Sequence, residues 1–306
     1  MNRWSVTAMA LVACGPKVPV APPLPDEPLS IDREALPGGT LRVLHTATVG
    51  MKQKQGVAGG DNTLSRAPVS VALFSHPTRG HVLIDAGFGR ATATDPPSYP
   101  RGLALKLLDV ADVVPLVDVL DQVSLSPGDI DQIFITHLHV DHAGGVADLP
   151  DAVVRVPQLE WDDAQRKRVM AGYDPEPYLG HRYQPISFDD GPVGPYVHSA
   201  DIFGDGSLVA LSAPGHTAGH TMFLVNLPEG SWLFTGDAAW IDANWEDGAR
   251  PKGFLARSVV EDNWKLGAGA LWRIHWFAQQ ADVTVISGHE PANLERLPPW
   301  PEPLTP

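Results

Sequence analysis

Thr136-His137-Leu138-His139-Val140-Asp141-His142-Ala143-Gly144-Gly145 follows directly on the apolar run Ile133-Phe134-Ile135. It places three imidazoles and a carboxylate within six positions, where a strand of residues 131–136 runs into a loop. Alternation along a strand turns His137 and His139 to one side. Asp141 and His142 can turn toward a second point, and Ala-Gly-Gly opens a short helix from Ala143. Imidazole and carboxylate together suit a borderline ion such as zinc. The competing reading is a polar turn in which histidines merely cluster, and the rest of the chain weighs against it.

Three further candidate ligands sit where other strands end. His216 lies in Ala213-Pro214-Gly215-His216-Thr217-Ala218-Gly219-His220, after a strand at Leu208–Ser212. Asp237 lies in Phe234-Thr235-Gly236-Asp237, after Trp232–Thr235, and His289 lies in Ile286-Ser287-Gly288-His289-Glu290, after Val283–Ile286. In each case a glycine precedes the polar residue and lets backbone come close to an ion.

With 306 residues, 43% of them hydrophobic, the chain can bury a large core. It has no internal repeat and no apolar run of transmembrane length. A net charge of −14, from 22 Lys+Arg against 36 Asp+Glu, argues against a nucleic-acid partner, because phosphate is met by basic residues. That balance says little about the site itself, where bound cations would reverse its sign. Cys14 is the single cysteine, so no intrachain disulfide forms.

The surroundings of Cys14 carry a second message. Arg3 is followed by a mostly apolar stretch from Trp4 to Ala13, and Leu11-Val12-Ala13-Cys14 resembles the lipobox of bacterial lipoprotein signal peptides. The resemblance implies a leader over residues 1–13, lipid on Cys14, and a membrane-anchored location in a bacterial cell envelope, facing the periplasm from the outer membrane. An ordinary free cysteine in a frayed terminus is the alternative. Residues 14–37 are proline-rich and expected to run as a polyproline-like tether, since proline lacks an amide donor and restricts φ.

The catalytic domain is expected over residues 38–297, with a proline-rich tail at 298–306. Strands are expected at 41–49, 69–74, 82–84, 131–136, 153–156, 208–212, 222–227, 232–235 and 283–286. Helical spacing covers 103–123, with a break at Pro115, then 158–170 and 259–281. Residues 172–195 lack periodicity and read as a long loop, whose Tyr173, Tyr178, Tyr183 and His181 could line a pocket. The order of elements suggests an α/β fold of two packed sheets with helices outside.

The set His137-x-His139-x-Asp141-His142, then His216, Asp237 and His289, resembles the metallo-β-lactamase superfamily over nearly all of residues 40–290. That family has an αβ/βα sandwich of two mixed sheets, with its metals in a cleft at the edge. The resemblance implies two divalent ions, with zinc the expected metal. His137, His139 and His216 would hold one, Asp141, His142 and His289 the other, and Asp237 would bridge them. Paired ions can share a water and bring its pKa near neutrality. A metal-bridging hydroxide attacking a lactone or ester follows, with Asp141 and Asp237 as the catalytic carboxylates. Asp85, in the matching Asp85-Ala86-Gly87 turn, would orient a ligand histidine. His220 is expected to be structural, hydrogen-bonded in its turn, and His45, His76, His81, His181, His198 and His275 lack a motif.

Within the superfamily, Val71 to Pro77, Leu83 to Gly87, Thr136 to Gly145 and Asp237-Ala238-Ala239 are similar to the N-acyl-homoserine lactonase branch. A small neutral or lipophilic substrate is expected from that resemblance. Those lactonases typically carry Tyr three residues after the bridging Asp. Trp240 stands there, and indole donates one hydrogen bond but cannot accept or ionise as phenol does. Organophosphate and aryl ester hydrolases of the same fold are therefore the nearest alternative, with an anchored, non-catalytic binding protein as the second. Branches that use a cysteine ligand are excluded by Asp237.

Overall fold

The computed structural model describes residues 19–94, 108–167 and 172–305. Two five-stranded mixed sheets face each other. The first runs in order β1 (Thr40–Lys52), β2 (Leu64–His76), β3 (Gly80–Ile84), β4 (Ile130–Phe134) and β5 (Val153–Arg155). The second holds β6 (Ser199–Asp201), β7 (Leu208–Ser212), β8 (Thr221–Leu227), β9 (Gly230–Phe234) and β10 (Val283–Ile286), with β10 at one edge and β6 at the other. Hairpins join β1–β2–β3 and β6–β7–β8–β9, while β3–β4–β5 and β9–β10 are parallel. The helices are α1 (Gln53–Gly56), α2 (Arg90–Thr94), α3 (Val140–Ala143), α4 (Gln158–Lys167), α5 (Phe254–Val259), α6 (Trp264–Ala278) and α7 (Asn293–Arg296).

Alternation along the strands explains the layering. Leu41, Val43, Ala72, Phe74, Val82, Ile84 and Phe134 of the first sheet meet Leu208, Ala210, Phe223, Val225, Trp232 and Phe234 of the second. The intervening residues Leu44, Val71, Leu73, Leu83 and Ile133 point the other way, into a core shared with Ala164 of α4. On the far side, Val209, Leu211, Leu224 and Leu233 pack under Leu271, Ile274 and Phe277 of α6. The central strands thus bury both faces, as a sandwich covered by helices requires.

Several elements depart from the sequence reading. The helix expected over 259–281 is shorter, α6 covering Trp264–Ala278, and a separate helix that was not expected, α5 at Phe254–Val259, precedes it. α5 ends at Val259, and α6 starts at Trp264, where the Asn263 side chain accepts from the amides of Lys265 and Leu266. The described part of the 103–123 segment forms two 3-10 turns, Leu116–Asp118 and Leu120–Val123, after Pro115; residues 103–107 lie outside the described residues. Strand β6 carried too short an apolar signal to be read from sequence.

The proline-rich segment does not stand free. From Pro19 to Arg33 it is a strap laid across α6 and the edge of the second sheet. Trp272 and Trp276 donate from their indole nitrogens to the carbonyls of Pro19 and Pro25, at 3.4 and 3.0 Å. Leu24 and Leu29 join the core beneath α6, and Arg33 Nη1 donates to the Leu227 carbonyl at 2.8 Å. Proline forbids ladder donors but leaves carbonyls, and these are what the indoles use. The tail folds back likewise, the Leu304 amide donating to Leu41 O at 2.8 Å. The leader expected over residues 1–13, and Cys14, lie outside the described residues.

Fully buried Phe223 packs against Phe134 across the inter-sheet core, with ring centroids 5.9 Å apart. Phe223→Ala should lower unfolding free energy by about 3–5 kcal/mol in urea titrations, whereas a loss below about 1 kcal/mol would contradict a shared core.

Candidate metal centre

Every candidate ligand stands where a strand of one sheet or the other gives way to a loop at the same edge of the sandwich. After β4, Ile135 and Thr136 lead to His137 and His139, and α3 presents Asp141 and His142 from a single turn. The loop after β7 brings His216, the turn after β9 brings Asp237, and that after β10 brings His289. The Thr221 amide donates to Thr136 O at 2.8 Å, which joins the two sheets just beneath the site.

The seven side chains are all buried and form two groups. His137, His139, His216 and Asp237 make one, and Asp141, His142 and His289 the other; within each, the ligating atoms lie within 4.8 Å of one another. Asp237 faces both. Its Oδ2 is 3.2 Å from His216 Nε2 and 3.9 Å from His137 Nε2, while Oδ1 is 3.3 Å from His142 Nε2 and 3.1 Å from His289 Nε2. Asp141 Oδ2 lies 3.5 Å from His289 Nε2.

The donor set fits a pair of divalent ions. Asp237 Oδ1, His137 Nε2 and His142 Nε2 are buried without hydrogen-bond partners. Leaving such atoms desolvated is costly, and cations held between them remove the cost. Burial holds His137 and His216 well below the ordinary imidazole value and brings His139 to about 4, which keeps their lone pairs free for metal. Burial alone would also lower His142 and His289, but facing carboxylates raise both: Asp85, Asp141 and Asp237 for His142, and Asp237 and Asp141 for His289. Burial opposes charge on Asp237, yet the imidazoles of His289, His216 and His142 keep it well below the usual carboxylate range.

Supporting groups surround the cluster. Asp85, held at φ 61°, accepts from His142 Nδ1 at 2.8 Å and from the Thr136 amide at 2.7 Å, so it aims the other ring nitrogen at the site. Gly87, at φ 61°, brings backbone within reach of Thr46, where a Cβ would lie 2.1 Å from its Oγ1. Trp240 donates from Nε1 to Asp237 Oδ2 at 2.6 Å, its ring between His216 and His289. Of the loop residues expected near a pocket, Tyr173 packs its ring 4.7 Å from His139, while Tyr178 and Tyr183 pack on Trp161, away from the ligands. His220 lies outside both groups. It was expected to be hydrogen-bonded, but its ring nitrogens have no hydrogen-bond partners, and the ring packs on His137 at 5.2 Å.

Two supporting residues carried no sequence signal. Glu160 of α4, fully buried, accepts from the Leu138 amide, Thr217 Oγ1 and the Gly219 amide at 2.8, 2.7 and 3.2 Å. It therefore ties the His137–His139 loop to the His216 loop, and burial raises its pKa to about 7. Lys252, also buried, donates to Asp237 O and to Glu261 Oε1, both at 2.6 Å, with Nζ 5.1 Å from the Trp240 ring centroid. Each looks like an ordinary helix or loop charge until the fold closes over it.

With this geometry in place, residues 65–289 match the family model described as the metallo-beta-lactamase superfamily, and the chain belongs to that superfamily. It is a metal-dependent hydrolase acting on ester bonds, and a homologue of N-acyl homoserine lactonases. The N-acyl homoserine lactonase AttM of Agrobacterium fabrum is 32% identical over 242 residues, 76% of this chain and 86% of that protein. AiiA of Bacillus thuringiensis subsp. kurstaki is 28% identical over 190 residues, 60% of this chain and 70% of its own. A crystal structure of a B. thuringiensis AiiA variant with N-decanoyl-L-homoserine at its active site superposes with a TM-score of 0.70. That match has 20% identity and covers 87% of this chain and 99% of the other, a likeness of fold.

Asp85→Asn should weaken metal retention about 10–100-fold, because the amide no longer orients His142 as a carboxylate does. Metal content after dialysis against graded chelator measures this, and an unchanged profile would remove Asp85 from the site. Glu160→Ala should cost about 2 kcal/mol or more in chemical denaturation, since it strands two buried amides.

Proposed function

We propose that the protein is a dinuclear zinc lactonase that opens the ring of N-acyl homoserine lactones. The observation that carries this reading is Asp237, whose two carboxylate oxygens face two separate groups of buried ligands. It occurs in a chain that shares 32% identity over most of its length with a lactonase. His137, His139 and His216 would hold one ion and Asp141, His142 and His289 the other, with the Asp237 carboxylate facing both groups. Two such ions supply Lewis acidity toward a carbonyl and an activated water near neutral pH.

The chain's own groups do the rest. Buried imidazoles and Tyr173 exclude bulk water behind the reacting carbonyl. Trp240 is locked by its bond to Asp237 and by the Lys252 ammonium over its ring, and it forms one wall for the lactone. Water oxygen becomes bonded to the carbonyl carbon and the ring C–O bond breaks, while Asp141 takes the proton the water loses and passes it to the departing alkoxide. The product is the ring-opened N-acyl homoserine. Trp240 also supports the second reading, turnover of aryl or organophosphate esters, because a flat indole wall accepts an aromatic leaving group as readily as a lactone. Lipidation of Cys14, with the enzyme held at a bacterial membrane, belongs to the same proposal and rests on the Leu11-Val12-Ala13-Cys14 pattern.

Metal-replete enzyme should bind two equivalents of zinc and hydrolyse a neutral acyl homoserine lactone, and chelation should abolish both. Trp240→Phe should lower lactone kcat about tenfold, equivalent to about 1.4 kcal/mol, by removing the donor to Asp237. Turnover of aryl or phosphate esters with none of the lactone would reassign the substrate to the second class.

A further inference from the structure

A patch beside the metal centre has the composition of a membrane-contact surface. On α5, Phe254, Leu255 and Val259 are 68%, 66% and 69% exposed, while Ala256 is turned inward. These positions span one side of a short helix, with exposed Ser258 among them. Arg257 lies over the rings of Phe254 and Trp264, at 5.6 and 5.2 Å, and so joins this face to the start of α6, where Leu266 is also more than half exposed. On the other side lies α1. Gln55 O accepts from the Gly253 amide, and the Lys54 amide donates to Asp61 O in the β1–β2 turn, beyond which Leu64 is exposed. Apolar side chains left in water in such a group mark an interaction surface.

The charge around this patch runs against that of the chain. Lys52 precedes α1 and Lys54 lies in it, Arg250 precedes α5 and Arg257 lies in it, and Lys265 opens α6, so that five bases sit on the elements carrying the patch in a protein of net charge −14. None of the five pairs with a carboxylate among the described residues. The acidic neighbours are largely engaged, Glu261 with Lys252 and Asp262 with Lys167. Asp61 remains, in the β1–β2 turn.

We infer that Phe254, Leu255, Val259, Leu266 and Leu64, with these five cations on the elements that carry them, dock the protein on an anionic lipid bilayer. The apolar residues enter the interface and the bases meet phosphate headgroups. A second copy of the chain fits poorly, because the cations would face one another across a symmetric contact. The surface borders the His216 loop: Asp262 and Asn263, between α5 and α6, donate their amides to His216 O and Gly215 O at 3.0 and 2.8 Å. Docking would therefore bring the metal centre close to the membrane, whichever ester it hydrolyses and whether or not Cys14 carries lipid.

The test uses the full chain with Cys14→Ser and one new cysteine bearing an environment-sensitive fluorophore, at Leu255→Cys or Val259→Cys. Thr78→Cys, in the turn at the far end of β2 from Leu64, serves as control. Vesicles of phosphatidylcholine with phosphatidylglycerol should produce a blue shift and several-fold brightening at 255 and 259 and none at 78. High salt, or Lys54→Glu with Lys265→Glu, should abolish the response. Silence at 255 and 259, or an equal response at 78, would overturn the inference. So would a blue shift that grows with protein concentration in the absence of vesicles, which would assign the patch to a second copy.

Discussion

A single buried carboxylate organises this molecule. Asp237 lies in a desolvated pocket that would normally keep it protonated, and it remains ionised because imidazoles converge on it from both sheets. Each of those imidazoles depends on a different strand ending at the same edge. The sandwich is thus under a geometric demand that packing alone does not impose. Four strand-to-loop transitions, from β4, β7, β9 and β10, must finish within a few ångströms of one another.

Two buried charges away from the ligands keep those transitions together. Glu160 holds the loops after β4 and β7 by accepting from backbone of both, and Lys252 holds the turn after β9 by donating to the Asp237 carbonyl. Both are satisfied by several partners, which is the condition under which a buried ion is tolerated. The ligands are consequently supported from helix α4 on one side and from the segment preceding α5 on the other. The two sides differ electrically, with neutral imidazoles in the first group and carboxylate-paired ones in the second.

Much of this was legible in the sequence because metal sites concentrate rare residue types at strand ends. His137, His139, Asp141, His142, His216, Asp237 and His289 each follow an apolar run, and the structure brings all seven together. The sheets were visible through alternation, and the sandwich through their order. What escaped reading was of another kind. Glu160 and Lys252 act through backbone atoms of residues far away in sequence, and no local pattern distinguishes them from solvated charges. The start of α6 was read too early because Val260 precedes Trp264 at helical spacing, and α5 escaped because its apolar side chains mostly face out. The strap was misread because polyproline composition says how a chain is extended, not what it lies against.

The strap alters the scale on which any attachment at Cys14 would operate. A free proline-rich segment of that length would let the catalytic domain sweep well clear of its point of attachment. With the chain pinned to α6 from Pro19 onward, only Cys14 to Val18 remain between a lipid and the folded body. Five residues reach at most about 17 Å at full extension. The enzyme would be on a short leash, obliged to work on molecules within or just leaving the bilayer rather than to patrol the surrounding fluid.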